Sequence, residues 1–379
     1  MRSSAASHGS SGSRGIRPFL HIGVICAIGA LILSCAAQSP PHPPRVERPA
    51  PVKDLTAAQV GPTVELRFTP PTLATDGEDL TKPLEIEIFR TITPKGVKLS
   101  PGIAGKANRP WLILQGKELK QRSAGGKVEY VDQLSPADFA HFVGSRFAYG
   151  VRGLTRGFRG RPIEAEVSNI ASLMILDVPT PVTELAITPT EKALDLSWSA
   201  PARTLTGQAA ASTLSYHVYR SEAGAAGASK PGPYRLIADA HETSYADSSF
   251  EFGRFYSYEV RAVVTEDGQS AESANSEARD IVPRDTFPPS PPAGLTGLFT
   301  SQAIELIWNP NLEPDLAGYD IYRREGNGQE EKLNPELLRT PLYRDTAVTA
   351  GRRYFYRVSA VDRTGNESSP SPEIEVEVP

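Results

Sequence analysis

The chain reads as all-β, as three tandem β domains of one kind behind a segment that stays outside the fold. Three observations predict this. The first is a repeat: Tyr256, Tyr258, Val260, Ala262 and Val263 recur as Tyr354, Tyr356, Val358, Ala360 and Val361. Upstream, Tyr245, Asp247 and Gly253 return as Tyr343, Asp345 and Gly351, all displaced by the same 98 positions. One displacement shared by so many residues marks a duplicated unit. The second observation is a more diverged copy in which Tyr130, Asp132, Gly144, Phe147, Tyr149 and Val151 occupy the same places. The third is strand periodicity, since every copy holds short segments in which apolar and polar residues alternate.

In chain order, residues 1–34 carry a basic start (Arg2, Arg14, Arg17), an apolar run from Phe19 to Leu33 and then Ser34, with Cys35 next. This is a targeting pattern and belongs outside the fold. The alternative, an uncleaved membrane anchor, is the poorer fit because the apolar run is short against the roughly 20 residues a membrane-spanning helix needs. Residues 35–53 hold Pro40, Pro41, Pro43, Pro44, Pro49 and Pro51. Such a chain favours the polyproline conformation at about 3.1 Å per residue and acts as a spacer, the alternative being unstructured slack.

The first domain, 54–178, supplies the strands Val64-Glu-Leu-Arg-Phe68 and Ile86-Glu-Ile88-Phe89-Arg90. The second, 179–284, supplies Leu194-Asp-Leu-Ser-Trp198 and Tyr216-His-Val218-Tyr219-Arg220; the third, 285–379, Ile304-Glu-Leu-Ile-Trp308 and Tyr319-Asp-Ile321-Tyr322-Arg323. Residues two apart point to one face of a sheet. Burying an aromatic as large as Trp198 or Trp308 contributes about 4–6 kcal/mol gross, comparable with the net stability of a small domain. Cys26 and Cys35 are the only cysteines and both precede the first domain, so packing alone must hold the sandwiches. Short proline-rich joints, Val178–Pro181 and Phe287–Pro292, limit hinge freedom between domains.

On these residues the chain resembles the fibronectin type III family, a seven-stranded immunoglobulin-like sandwich with a core Trp on its second strand and a Tyr near the start of its sixth. The resemblance covers nearly everything from residue 54 to 379. It implies that Trp198 and Trp308 are core anchors, with Phe68 in that role in the first domain. It also implies that Tyr256 and Tyr354 tie a corner through their hydroxyls, as sandwich domains do. Phe147 stands at the third corner and has no hydroxyl, so the first domain is expected to tie that corner another way. The start of the chain resembles a bacterial lipoprotein signal, which implies cleavage before Cys35, acylation of that cysteine and attachment of the protein to a membrane. Ala36 after the cysteine leans toward an outer membrane under the rule that sorts such lipoproteins.

Formal charge is graded. Residues 1–53 carry six bases and one acid, 54–178 carry 16 and 14, 179–284 nine and 14, and 285–379 nine and 15. The most basic stretch of the first domain, Arg152, Arg156, Arg159 and Arg161, flanks the turn between its last two strands, where the resemblance implies a partner-binding loop. Its functional reading is contact with a polyanion or a membrane surface, and its bland reading is a solvated turn. The first domain also carries insertions: 39 residues separate Arg90 from Tyr130, against 24 and 19 at the matching places in the later copies. The longer segment has room for an extra hairpin around Trp111–Leu114, with Gly125 and Gly126 turning into the next strand. Trp111 either packs in an enlarged core or offers a stacking surface. Ser135-Pro-Ala-Asp138 predicts a short helical turn through Phe142, with Ser135 as its cap.

Chemistry beyond binding is sparse. No Gly-x-Ser-x-Gly elbow, phosphate loop or His-Glu-x-x-His pattern occurs, and His141, His217 and His241 fall at no metal-ligand spacing, so neither an enzyme nor a metal or other cofactor is expected. His217 alternates outward on its strand and reads as a surface residue. Glu313, Asp315, Asp362 and Glu367 sit at turns, where such acids cap backbone or contribute to calcium sites. A nucleic-acid partner is disfavoured in an exported, net-acidic chain without a known motif. The expected function is a lipid-anchored envelope protein that binds an envelope polysaccharide or protein, or else an architectural spacer.

Overall fold

The computed structural model describes residues 45–97, 109–222 and 232–379. Glu47–Pro379 form one compact unit, separate from Met1–Val46, and the architecture below is that of the former. Cys35 and the run Phe19–Leu33 lie outside the described residues; among those described, no helix is long and apolar enough to cross a membrane.

The first sandwich pairs β1 (Thr56–Val60), β2 (Thr63–Phe68), β6 (Lys127–Gln133) and β5 (Ser123–Ala124) in one sheet. Its other sheet runs β4 (Leu112–Gln115), β3 (Glu85–Thr93), β7 (Arg146–Arg156), with β8 (Pro162–Glu164) and β9 (Ala171–Met174) both on β7. The second sandwich sets β10 (Thr183–Pro189), β11 (Leu194–Ser199) and β14 (Ser244–Asp247) against a sheet of β13 (Arg235–Ala240), β12 (Ser215–Glu222), β15 (Tyr256–Glu266) and β16 (Gln269–Glu272), with β17 (Arg279–Ile281) also on β15. The third repeats this plan. Here β18 (Thr296–Thr300), β19 (Ala303–Ile307) and β22 (Leu342–Asp345) face β21 (Glu331–Lys332), β20 (Leu316–Glu325), β23 (Arg353–Asp362) and β24 (Ile374–Glu377).

Each sandwich encloses its own dry core. Phe68, Trp198 and Trp308 are buried on β2, β11 and the end of β19, as expected. The expected corners form as well. The Tyr256 hydroxyl accepts the Glu251 N–H at 2.9 Å and the Tyr354 hydroxyl accepts the Thr349 N–H at 3.0 Å. Phe147, fully buried, instead packs edge-on against Phe142, ring centroids 5.3 Å apart. Phe142 ends helix α2 (Pro136–Phe142), capped by the Ser135 hydroxyl, which accepts the Asp138 N–H at 3.1 Å. The first domain thus replaces a corner hydrogen bond with a helix docked on a ring.

The repeated Tyr, Asp and Arg positions have a common cause. In every sandwich a buried aspartate accepts a hydroxyl from the longest strand (β7, β15 or β23) and pairs with an arginine from β3, β12 or β20. The sets are Asp132 with Tyr149 (2.7 Å) and Arg90 (2.7 Å), Asp247 with Tyr258 (2.7 Å) and Arg220 (2.6 Å), and Asp345 with Tyr356 (2.8 Å) and Arg323 (2.8 Å). Each arginine also lies over the corner ring, at 5.9 Å for Phe147, 5.4 Å for Tyr256 and 5.3 Å for Tyr354. A buried charge is tolerated only when paired and fully hydrogen-bonded, so no member of such a set varies alone without cost. Burial works to raise the Asp247 carboxyl, but hydrogen bonds from Ser249, Arg220 and Tyr258 outweigh it and hold the group below the usual carboxylate range.

Two details of the first domain differ from expectation. The segment around Trp111 is one strand, β4, paired with β3, and not a separate hairpin; helix α1 (Gly116–Gln121) follows it, burying Leu119. The Gly125–Gly126 turn does form, with φ of 56° and 78°, and joins β5 to β6. The leash drawn to residue 53 also shortens, because Val52 already lies in the first core and Glu47 is buried, its carboxylate accepting the Thr81 and Lys82 N–H groups at 2.8 and 3.0 Å.

Candidate functional site

The four-arginine cluster divides in two. Arg152 on β7 pairs with Glu87 at 2.6 Å and Glu164 at 2.8 Å, and Arg156 grips both oxygens of Glu85 at 2.8 and 2.7 Å. Glu85 and Glu87 lie buried along β3 and require these cations; the hydrogen bonds from Arg156 outweigh burial and keep the Glu85 carboxyl below its ordinary range. Arg159 and Arg161 belong to the turn beyond. Neither forms an ion pair among the described residues, and both are exposed.

That turn is a single 3-10 loop over Phe158–Gly160, closed by Gly157 N–H to the Arg161 carbonyl at 2.8 Å. Arg159 sits at φ 58°, a left-handed conformation that a non-glycine residue seldom takes. Its guanidinium lies 5.1 Å from the centre of the Phe158 ring, and that ring is 81% exposed. Phe158 was not singled out from sequence, although an apolar residue between glycines in a cationic turn was its signal. The chain enters the sandwich beside this hairpin, for the Thr155 hydroxyl donates to the Glu47 carbonyl at 2.5 Å.

Trp111, 37% exposed, is neither a core residue nor an open platform. The Arg90 guanidinium covers its ring at 4.1 Å, and Tyr130 meets it edge-on at 5.8 Å. Since Arg90 is committed to Asp132, that face of the indole is occupied.

The matching hairpin turns of the other sandwiches have different surroundings. In the second, the hairpin β15–β16 docks on the first sandwich. Gln269 exchanges both its amide atoms with the backbone of Met174, at 2.6 and 2.7 Å, and Val60 of β1 pairs in parallel with Glu272. Val264 and Ala271 enter the first core, so one sheet runs from β13 to β5 through both domains. Gln59 is buried there, its amide bound to the Leu176 N–H and carbonyl at 2.8 Å each. Gly61, at φ 56°, lies where an added Cβ would be 3.3 Å from Ala274. His217 points away from its own core but is not a free surface residue. It contacts the Glu272 carboxylate, which also takes the Tyr219 hydroxyl at 2.7 Å and Arg261 at 2.6 Å.

In the third sandwich the turn after β23 is capped by Asp362, which accepts the Thr364 and Asn366 N–H groups at 2.8 Å each. This turn meets the joint upstream: Asn366 donates to the Asp285 carbonyl at 3.3 Å, and the Arg363 N–H donates to the Asp315 carbonyl at 2.9 Å. The carboxylates of Asp285, Asp315 and Asp362 lie within 4.8 Å of one another, an oxygen-rich arrangement of the kind a hard cation accepts. The other two acids weighed for that role serve elsewhere. Glu313 caps the Ser290 N–H at 2.7 Å, and Glu367 accepts the Tyr322 hydroxyl at 2.7 Å.

Residues 182–280 match a family model described as Fibronectin type III domain SaeA third domain. The chain is similar to Exoglucanase B of Cellulomonas fimi, 31% identical over 204 residues that cover 52% of this chain and 16% of that enzyme. It is similar to Chitinase Chi52 of Paenibacillus xylanexedens, 38% identical over 98 residues (24% and 17%), and to Amylopullulanase of Thermoanaerobacterium saccharolyticum, 36% identical over 90 (23% and 7%). Among solved structures it is similar to the FN1–FN3 domains of chicken CNTN1, at 15% identity over 87% of this chain and 99% of that one, with a TM-score of 0.25. The chain spans less than a fifth of each of these enzymes. The described chain is thus all-β, built as three sandwiches in tandem, and the fibronectin type III match falls on the second of them.

Proposed function

We propose that the protein is a non-enzymatic lipoprotein of the cell envelope, anchored in the outer membrane through Cys35, whose first sandwich binds an envelope component through the hairpin tip at Phe158–Arg161. One observation carries this reading: an apolar ring 81% exposed, followed by two arginines without an acidic partner among the described residues. Stability does not require that combination, since a solvated turn is served by polar residues alone. The matches to short parts of larger enzymes support an accessory role, binding or spacing, for modules of this kind.

The test is retention of envelope extract on the immobilised protein. Salt-sensitive capture lost on changing Arg159 and Arg161 to Ser supports the binding role. Arg156→Ser is a poorer choice, because it strips a buried Glu85 of its partner. The second reading is a spacer without a ligand. The strand pairing that continues from the first sandwich into the second favours it, and no retained component in this assay would establish it.

A further inference from the structure

We infer that the Phe158–Arg161 tip is a membrane-docking element, its ring entering the headgroup boundary of an anionic bilayer while Arg159 and Arg161 meet lipid phosphates. The inference rests on the binding role just proposed and names its ligand. Its basis is the behaviour of one structural position in three repeats. The hairpin turn of the second sandwich docks on what precedes it, the first sandwich, through Gln269 and Met174. The turn of the third docks on what precedes it, the joint at Asp285. In the first sandwich no hydrogen bond or strand pairing joins the same turn to another sandwich among the described residues. The chain that enters beside it comes from the Pro-rich leash, joined through Glu47 to Thr155, three residues from Phe158. Only 11 residues lie between Cys35 and Glu47, a reach of at most about 43 Å for any chain conformation.

The chemistry of the tip favours a bilayer over a soluble polyanion. A polyanion binds an array of cations, but two of the four arginines here are neutralised by Glu85, Glu87 and Glu164. The 75–79 turn, tied to the entering chain by the Thr75 N–H on the Arg48 carbonyl at 2.8 Å, adds Asp76, Glu78 and Asp79, so this end is not a broad cationic plate. What remains is convex and small: one aromatic ring with a cation on either side of its neighbouring glycine. An amphipathic element of that form partitions into the interface, ring toward the acyl chains and guanidinium groups at the phosphates.

The experiment uses the full lipidated chain reconstituted into vesicles of phosphatidylcholine, with or without phosphatidylglycerol, and Phe158→Trp as an optical probe whose signal is the difference from the parent protein. The expected result is a blue shift in the difference emission and its loss with brominated acyl chains, both stronger with phosphatidylglycerol and reduced by Arg159→Ser with Arg161→Ser. Protein that floats with the vesicles while its difference emission stays unshifted and unquenched overturns the inference and leaves the anchor standing. A response to dextran sulfate in solution without one to vesicles overturns it in favour of a polyanion reader. If mass spectrometry finds Cys35 unacylated, the anchor reading fails on its own; Cys26→Ser protein is then coupled to maleimide lipid through Cys35, and the same quenching decides the tip.

Discussion

The β7–β8 turn of the first sandwich and the β15–β16 turn of the second occupy one position in a duplicated unit, yet one ends in an exposed Phe158 between arginines and the other in Gln269 bound to a neighbouring backbone. The frame beneath them is the same Arg–Asp–Tyr set, so the frame does not dictate the turn. What differs is what each turn meets. The scaffold keeps its cores and a few buried polar positions constant, and the tips are left to vary with their surroundings.

The largest effect should come from breaking what the repeats share. Asp132→Ala takes from Arg90 its one acidic partner among the described residues and is expected to cost about 3–5 kcal/mol, with Asp247→Ala and Asp345→Ala toward the lower end because Arg220 and Arg323 keep Glu222 and Glu331. Denaturant unfolding followed by probes in each sandwich checks this. A much smaller loss in the first sandwich would show that its frame is not equivalent.

Next comes the joint that makes the second turn different. Gln269→Ala removes two hydrogen bonds to Met174 and leaves that backbone unsatisfied, at about 1–3 kcal/mol. Unfolding of the first two sandwiches should then cease to coincide. At the exposed tip, Phe158→Ser should leave stability within about 0.5 kcal/mol of the parent.

Tyr354→Phe and Tyr256→Phe each remove one corner bond, worth about 1 kcal/mol, while the first sandwich, with Phe147, has no equivalent bond to lose. The smallest effect is in pH. Asp247 and Glu272 both titrate below their ordinary values in the folded chain. Their stabilisation is therefore complete above the unfolded values near about pH 4 and is lost as pH falls through the folded ones. The stability gap between the parent and Asp247→Asn should be flat at neutral pH and narrow in acid.

Much of this was legible in the sequence because strands write their burial into every second residue. Trp198 and Trp308 could be placed from alternation, the two corner tyrosines came only with the family resemblance, and Ser135 announced α2 through its capping pattern. The Arg–Asp–Tyr sets were visible as repeated letters, but their bonding was not, since it joins residues on three different strands. Gln59 and Gln269 look like ordinary surface amides, and only a strand pairing between domains buries the first and occupies the second. Arg156 and Arg159 are three residues apart in one cationic run, and nothing local says that Glu85 claims one of them. Asp285 joins Asp315 and Asp362 only through the path of the joint. Helix α1 is too short to carry a period.

The most direct test of the account is site-specific photo-crosslinking in cells from three equivalent tips, at positions 158, 267 and 364. The account predicts that position 158 captures an envelope component outside the chain, while 267 and 364 crosslink within the chain, to the first sandwich and to the joint near Asp285. Position 158 capturing nothing, or only its own chain, would contradict it.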